Sequence, residues 1–126
     1  MMRVIAAALL SLPLATPTHG QESDQDARFG SLRLCADTVT DARIEQDEAS
    51  GQMLLLLTFS PEAAAKVAEM TTAAIGDVIV LRLADEIISE PRVYEPILGG
   101  ELQVWGTEIE TMERLLPAVR EACPAA

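Results

Sequence analysis

The chain has 126 residues, with 20 Asp and Glu against 9 Lys and Arg and a formal net charge of −11. That length holds one domain, and with 49% apolar residues it can bury a core, which excludes global disorder. An acidic surface repels phosphate backbones and anionic lipid, which excludes nucleic-acid binding.

Residues 1–20 read as a secretory signal peptide. Arg3 is the basic n-region, residues 4–15 form an apolar stretch interrupted by Ser11 and Pro13, and the small residues Thr18 and Gly20 precede a cleavage site near Gly20-Gln21. The apolar stretch is shorter than the roughly 20 residues a bilayer-spanning helix needs. The expectation is a periplasmic, exported chain with no direct membrane insertion. The single histidine, His19, leaves with the signal. A mature chain without His builds no Ser-His or Cys-His pair and lacks the commonest ligand for zinc, haem and copper. No catalytic residue, cofactor or metal ligand is therefore assigned, and the chain is read as not an enzyme. Cys35 and Cys123 stand near the two ends of what remains. In an oxidising compartment their default is a disulfide, which in the chain-entropy model contributes about 4–5 kcal/mol for so long a loop. Two free thiols are the alternative.

Residues 21–30 are polar and charged and read as a flexible leader. A single α+β domain over 31–126 follows. Leu32 and Leu34 mark a short strand within 31–39, and 42–47 is a weaker strand. The turn at 48–51 precedes the most apolar run, 52–59, a strand in mid-sheet. The first helix is punctuated by Ser60 as N-cap, Pro61 at the first helical position and Glu62 in the first turn. It runs over 62–75 with Ala63, Val67, Met70 and Ala74 on one face, and Gly76 follows as a C-terminal cap. Residues 77–83 and 86–90 form a hairpin across Ala84-Asp85. Residues 92–100 are a loop, 101–105 a strand with Leu102 and Val104 on one face. A second helix begins with a Thr107/Glu110 capping box and carries Ile109, Met112, Leu116 and Val119 at helical spacing, with Pro117 expected to kink or break it. This order predicts one antiparallel sheet of about five to six strands with two helices on one face, in a ferredoxin-like arrangement.

The stretch 72–116 carries an ordered set of turn residues. A Thr precedes Ile75-Gly76, a strand and a tight turn lead to Ile88-Ser89-Glu90-Pro91, and Pro96-Ile97 leads to Gly99-Gly100 and then to Gly106. In this combination the chain resembles the head subdomain of the first periplasmic domain of SecD, the accessory membrane subunit of the Sec translocase, over roughly 53–121. The resemblance implies a shared fold, contact with unfolded polypeptide and a role accessory to protein export. The family has Asp-Gly where this chain has Ala84-Asp85, which leaves the turn type open. It also spans the membrane and couples to the proton gradient, which this chain has no spanning helices to do.

The glycines read as tight turns, and Ser89 has no base beside it. Asp85, Glu86, Glu90, Glu95 and Glu101 read as a solvated acidic face. Trp105 reads as a core plug or sheet cover. The four apolar residues of the 92–100 loop, Val93, Tyr94, Ile97 and Leu98, have two readings: folded back over the sheet, or exposed as a patch for an extended partner segment beside a sheet edge. The leading functional expectation is a polypeptide-binding module, its partner an unfolded polypeptide or a periplasmic or membrane protein. The alternative is a specific inhibitor or accessory subunit of one folded periplasmic protein.

Overall fold

A computed structural model describes residues 26–124, so the signal reading of 1–20 and most of the leader lie outside the described residues. Among the described residues the order is β1 (Ala27–Phe29), β2 (Leu32–Leu34), β3 (Val39–Gln46), β4 (Met53–Phe59), α1 (Pro61–Ala73), β5 (Leu81–Leu83), β6 (Glu86–Ser89), β7 (Glu101–Trp105) and α2 (Ile109–Arg120). None of their helices is long and apolar enough to cross a membrane.

The strands form two antiparallel sheets rather than one, a four-stranded sheet in the order β2-β1-β5-β6 and a three-stranded sheet in the order β3-β4-β7. A ferredoxin-like arrangement would place β4 and β5 in one sheet, and they lie in different ones. The separation follows from β4 already having both neighbours: Ile44, Leu55 and Val104 form one cross-strand row, and Ala42, Leu57 and Leu102 the next. These rows face a core shared with Phe29, Leu34, Leu81, Val67, Met112 and Leu115. Each fully buried side chain of that size contributes about 1.5–3 kcal/mol over its exposed state. On the opposite face Leu54 lies beside Trp105 and Glu45, and Leu56 beside Gln103 and Arg43, so long side chains cover them and Trp105 serves as a sheet cover.

Residues 27–30 are not part of a flexible leader. Ala27–Phe29 is an interior strand between β2 and β5, with Ala27 and Phe29 buried, and Gly30-Ser31 turns it into β2. Gly30 has φ +59, and a Cβ there would meet Ile79 Cγ2 at 3.1 Å and Met70 Sδ at 3.3 Å, so a side chain at this turn would be strained and tightly packed.

In α1 the Ser60 hydroxyl accepts from the Ala63 amide, as the punctuation predicts. Its buried line is Ala63, Val67 and Thr71, with Met70 partly buried beside it. Helix α2 begins later than its sequence implies. The N-cap is Glu108, without a side-chain cap bond, so the Thr107/Glu110 box does not form. Pro117 does not break the helix, which continues to Arg120. Only one backbone bond is forfeited there, and burial of Leu115, Ala118 and Val119 holds the last turn. Cys35 and Cys123 form a disulfide that joins the end of β2 to the chain leaving α2, beside the bond from the Ala36 amide to Glu121 O (2.8 Å).

Candidate functional site

The 92–100 loop bridges β6 and β7, each an edge strand of its own sheet. Two backbone bonds and one side-chain bond hold its start. The Gly76 amide donates to Val93 O (2.8 Å), the Val93 amide to Asp77 O (2.8 Å), and Arg92 Nη1 to Gly76 O (2.6 Å). The last turn of the loop has Gly100 at φ +77, and its carbonyl accepts the Phe59 amide (2.8 Å). Between these ends the Ile97 amide donates to the hydroxyl of buried Thr71 (2.9 Å).

The loop's four apolar residues divide between the two sequence readings. Val93 is buried and Ile97 packs half-buried against the core. Tyr94 and Leu98 are 79% and 73% exposed. The anchors cause the division: pinning Val93 and Ile97 to α1 and its C-terminal turn leaves their neighbours no route inward. Of the other turn residues, Gly76 and Gly106 have positive φ, Ser89 ends β6, and Pro96 and Gly99 lie within the loop.

Two shallow depressions flank Pro91. One, of about 230 Å³, runs between Ser89-Glu90-Pro91 and the stretch from Leu102 to Trp105 on β7. The other, of about 250 Å³, lies under the loop and is lined by Arg92, Val93, Tyr94, Glu95 and Ile97. Both share Phe29, Pro91 and Leu102, so together they form one mainly apolar groove along the side of β7 that β4 leaves unpaired. Each is smaller than the roughly 300–1,000 Å³ of a small-molecule site, and each suits one or two side chains of a longer ligand. Of the acidic residues around the loop, Glu90 and Glu95 border the groove, whereas Glu86 is paired with Arg114 (3.0 Å).

Sequence reasoning missed Phe29 and Thr71. Phe29 was readable: Ala-Arg-Phe and Leu-Arg-Leu alternate about Gly30-Ser31, a two-residue hairpin signal. Thr71 had no such signal, because its role depends on a loop 26 residues away.

Residues 17–120 match the family described as SecDF, P1 head subdomain. The protein translocase subunit SecD of Acidaminococcus fermentans is 33% identical over 79 residues, which are 63% of this chain and 19% of that protein. A solved structure of SecDF in its super-membrane-facing form is similar at 30% identity and a TM-score of 0.60, over 69% of this chain and 12% of the other. A structure described as a membrane component SecDF that enhances protein export is similar at 27% identity and a TM-score of 0.59, over 68% and 39%. The chain thus spans about a fifth of the length of the curated relatives it matches. A match over residues 17–120, across most of the described fold, settles the relationship: the chain belongs to the SecDF P1 head subdomain family.

Proposed function

We propose that this chain is an exported, non-enzymatic module that holds an extended stretch of polypeptide in the periplasm and serves protein export. The observation that carries this reading is the apolar groove beside the free edge of β7, lined at its loop end by exposed Tyr94, with exposed Leu98 on the same loop. An edge strand offers main-chain donors and acceptors that pair with any extended chain, and the groove takes alternate side chains without selecting among them. Membership of a family whose relatives include a translocase subunit supports the same reading. Residues 1–20 act as its export signal, removed near Gly20-Gln21.

The test is in-cell photo-crosslinking from position 103, an exposed β7 residue that lines the groove. Adducts with many exported polypeptides, lost on Tyr94→Ser with Leu98→Ser while the fold persists, are the expected result. A single folded adduct would make the protein a dedicated inhibitor or subunit instead. Capture unchanged by the double substitution would remove the groove from the account.

A further inference from the structure

The outer face of the four-stranded sheet has an unexpected composition. Each of β2, β1 and β5 has an arginine at its centre between buried residues: Arg33 between Leu32 and Leu34, Arg28 between Ala27 and Phe29, Arg82 between Leu81 and Leu83. Alternation sends all three guanidinium groups away from the core. Strand register sets Arg28 directly opposite both Arg33 and Arg82. Arg92 joins the same face through its bridge to Val78, which alternates outward with buried Ile79 and Leu81.

Four of the chain's nine basic residues thus share one face of a protein with net charge −11. Like charges opposite each other destabilise a sheet, and this row contains two such pairs. Compensation is incomplete. Asp26 Oδ1 serves two arginines, at 3.0 Å from Arg28 Nε and 3.3 Å from Arg33 Nε. Arg33 Nε is buried without a hydrogen bond, and Arg82 has no ion pair among the described residues. A local conflict of this kind, kept where a neutral residue would be more stable, marks a surface used for something else.

We propose that this face docks a carboxylate-bearing stretch of a partner protein. All four cations are arginine, whose planar fork binds carboxylates in a bidentate manner, and arginine is enriched over lysine in protein interfaces. Val78 and Ile87 are exposed on the same face, Ile87 directly opposite Arg82, and supply the apolar contacts that accompany such pairs. A bilayer fits less well. An extended anionic plane meets the repulsion of the whole acidic molecule, whereas a partner's acidic stretch meets only the row, within the ~8–10 Å over which charges act at moderate salt. The strand spacing of about 4.8 Å spreads the row of three across roughly 10 Å, enough for two or three carboxylates.

The experiment measures anisotropy of a labelled synthetic peptide of alternating Glu and Val on the disulfide-bonded chain, with a Gln-for-Glu peptide and phosphatidylglycerol vesicles in parallel. The Glu peptide should bind, weaken with salt, and lose roughly tenfold or more in affinity on R28Q with R82Q. It should be unaffected by R43Q, whose arginine pairs with Asp41 and Glu45 on the other sheet. Relief of like-charge repulsion should leave the melting temperature of R28Q/R82Q equal or higher, which separates docking from a structural role. R28K with R82K keeps the charge and should still weaken binding through loss of the fork. Equal affinity for the Gln peptide, binding unchanged by R28Q/R82Q, or binding to the vesicles without the Glu peptide would each overturn the proposal.

Discussion

The Thr71 hydroxyl accepts the Ile97 amide at 2.9 Å and donates to Val67 O at 2.7 Å, so one buried side chain joins the loop beside the groove to the middle of α1. Thr71 is fully buried among otherwise apolar neighbours. Thr71→Val is nearly isosteric yet strands the Ile97 amide without a partner. The expected cost is about 1–3 kcal/mol. Hydrogen exchange at the Ile97 amide should accelerate more than in α1 itself, and exchange unchanged at that amide would refute the link.

The hairpin between β5 and β6 turns on Ala84, which has φ +54, the one non-glycine residue in that region among those described. The turn, whose type the sequence left open, thus has an alanine in a conformation that favours glycine. Left-handed backbone costs a residue with a Cβ about 1–2 kcal/mol, partly offset by the greater freedom of glycine in the unfolded chain. Ala84→Gly should stabilise the protein by up to about 1 kcal/mol, or several degrees in melting temperature for a domain of this size. Thermal unfolding measured side by side with the parent chain checks this, and a lower melting temperature would contradict it.

The Cys35–Cys123 disulfide closes nearly the whole described fold into one loop. Thiol trapping of the native protein should label neither cysteine. Cys35→Ser with Cys123→Ser should lower stability by about 2–5 kcal/mol by denaturant titration, with the largest loss of protection at the end of α2. Two labelled thiols in the native protein would refute the pairing.

In the β3–β4 turn, the Asp47 carboxylate accepts the hydroxyl (2.7 Å) and the backbone amide (2.9 Å) of Ser50. These bonds hold its pKa below the ordinary 3.8, the hydroxyl first and the amide second. A depressed carboxylate pKa adds stability that is complete above the ordinary value and is lost as pH falls through the lower, folded one. The turn should therefore keep its order through mildly acidic solution and loosen only below about pH 4. NMR titration of the Ser50 amide checks this, and Asp47→Asn should abolish the transition.

Strong local signals were legible without coordinates. The apolar run that becomes β4, the Ser60-Pro61 entry to α1, the hairpin at Ala84-Asp85 and the strand with Leu102 and Val104 inward all depend on neighbours in sequence. The family was legible in the same way, through the ordered turn residues of 72–116 that carried the resemblance, and the match over 17–120 bears it out. What failed was short or non-local. Three residues beside a polar leader do not declare a period on their own, so Ala27–Phe29 is marked only by its hairpin signal with Leu32–Leu34 about Gly30-Ser31. The Thr107/Glu110 pattern satisfied a capping rule that the turn at Gly106 and the later start of α2 do not use.

The sequence by itself determined most of the element types, the aliphatic core, the acidic balance and the relationship to the SecDF P1 head family, since these follow from composition, periodicity and turn chemistry. Only the tertiary structure decided that the strands divide into two sheets, that Val93 and Ile97 turn inward while Tyr94 and Leu98 stay out, and that three arginines from separate strands stand side by side. The physical reason is common to all three. Alternation states which residues share a face of a strand, but strand partners and register are chosen by the packing of distant segments, and that choice places the neighbours.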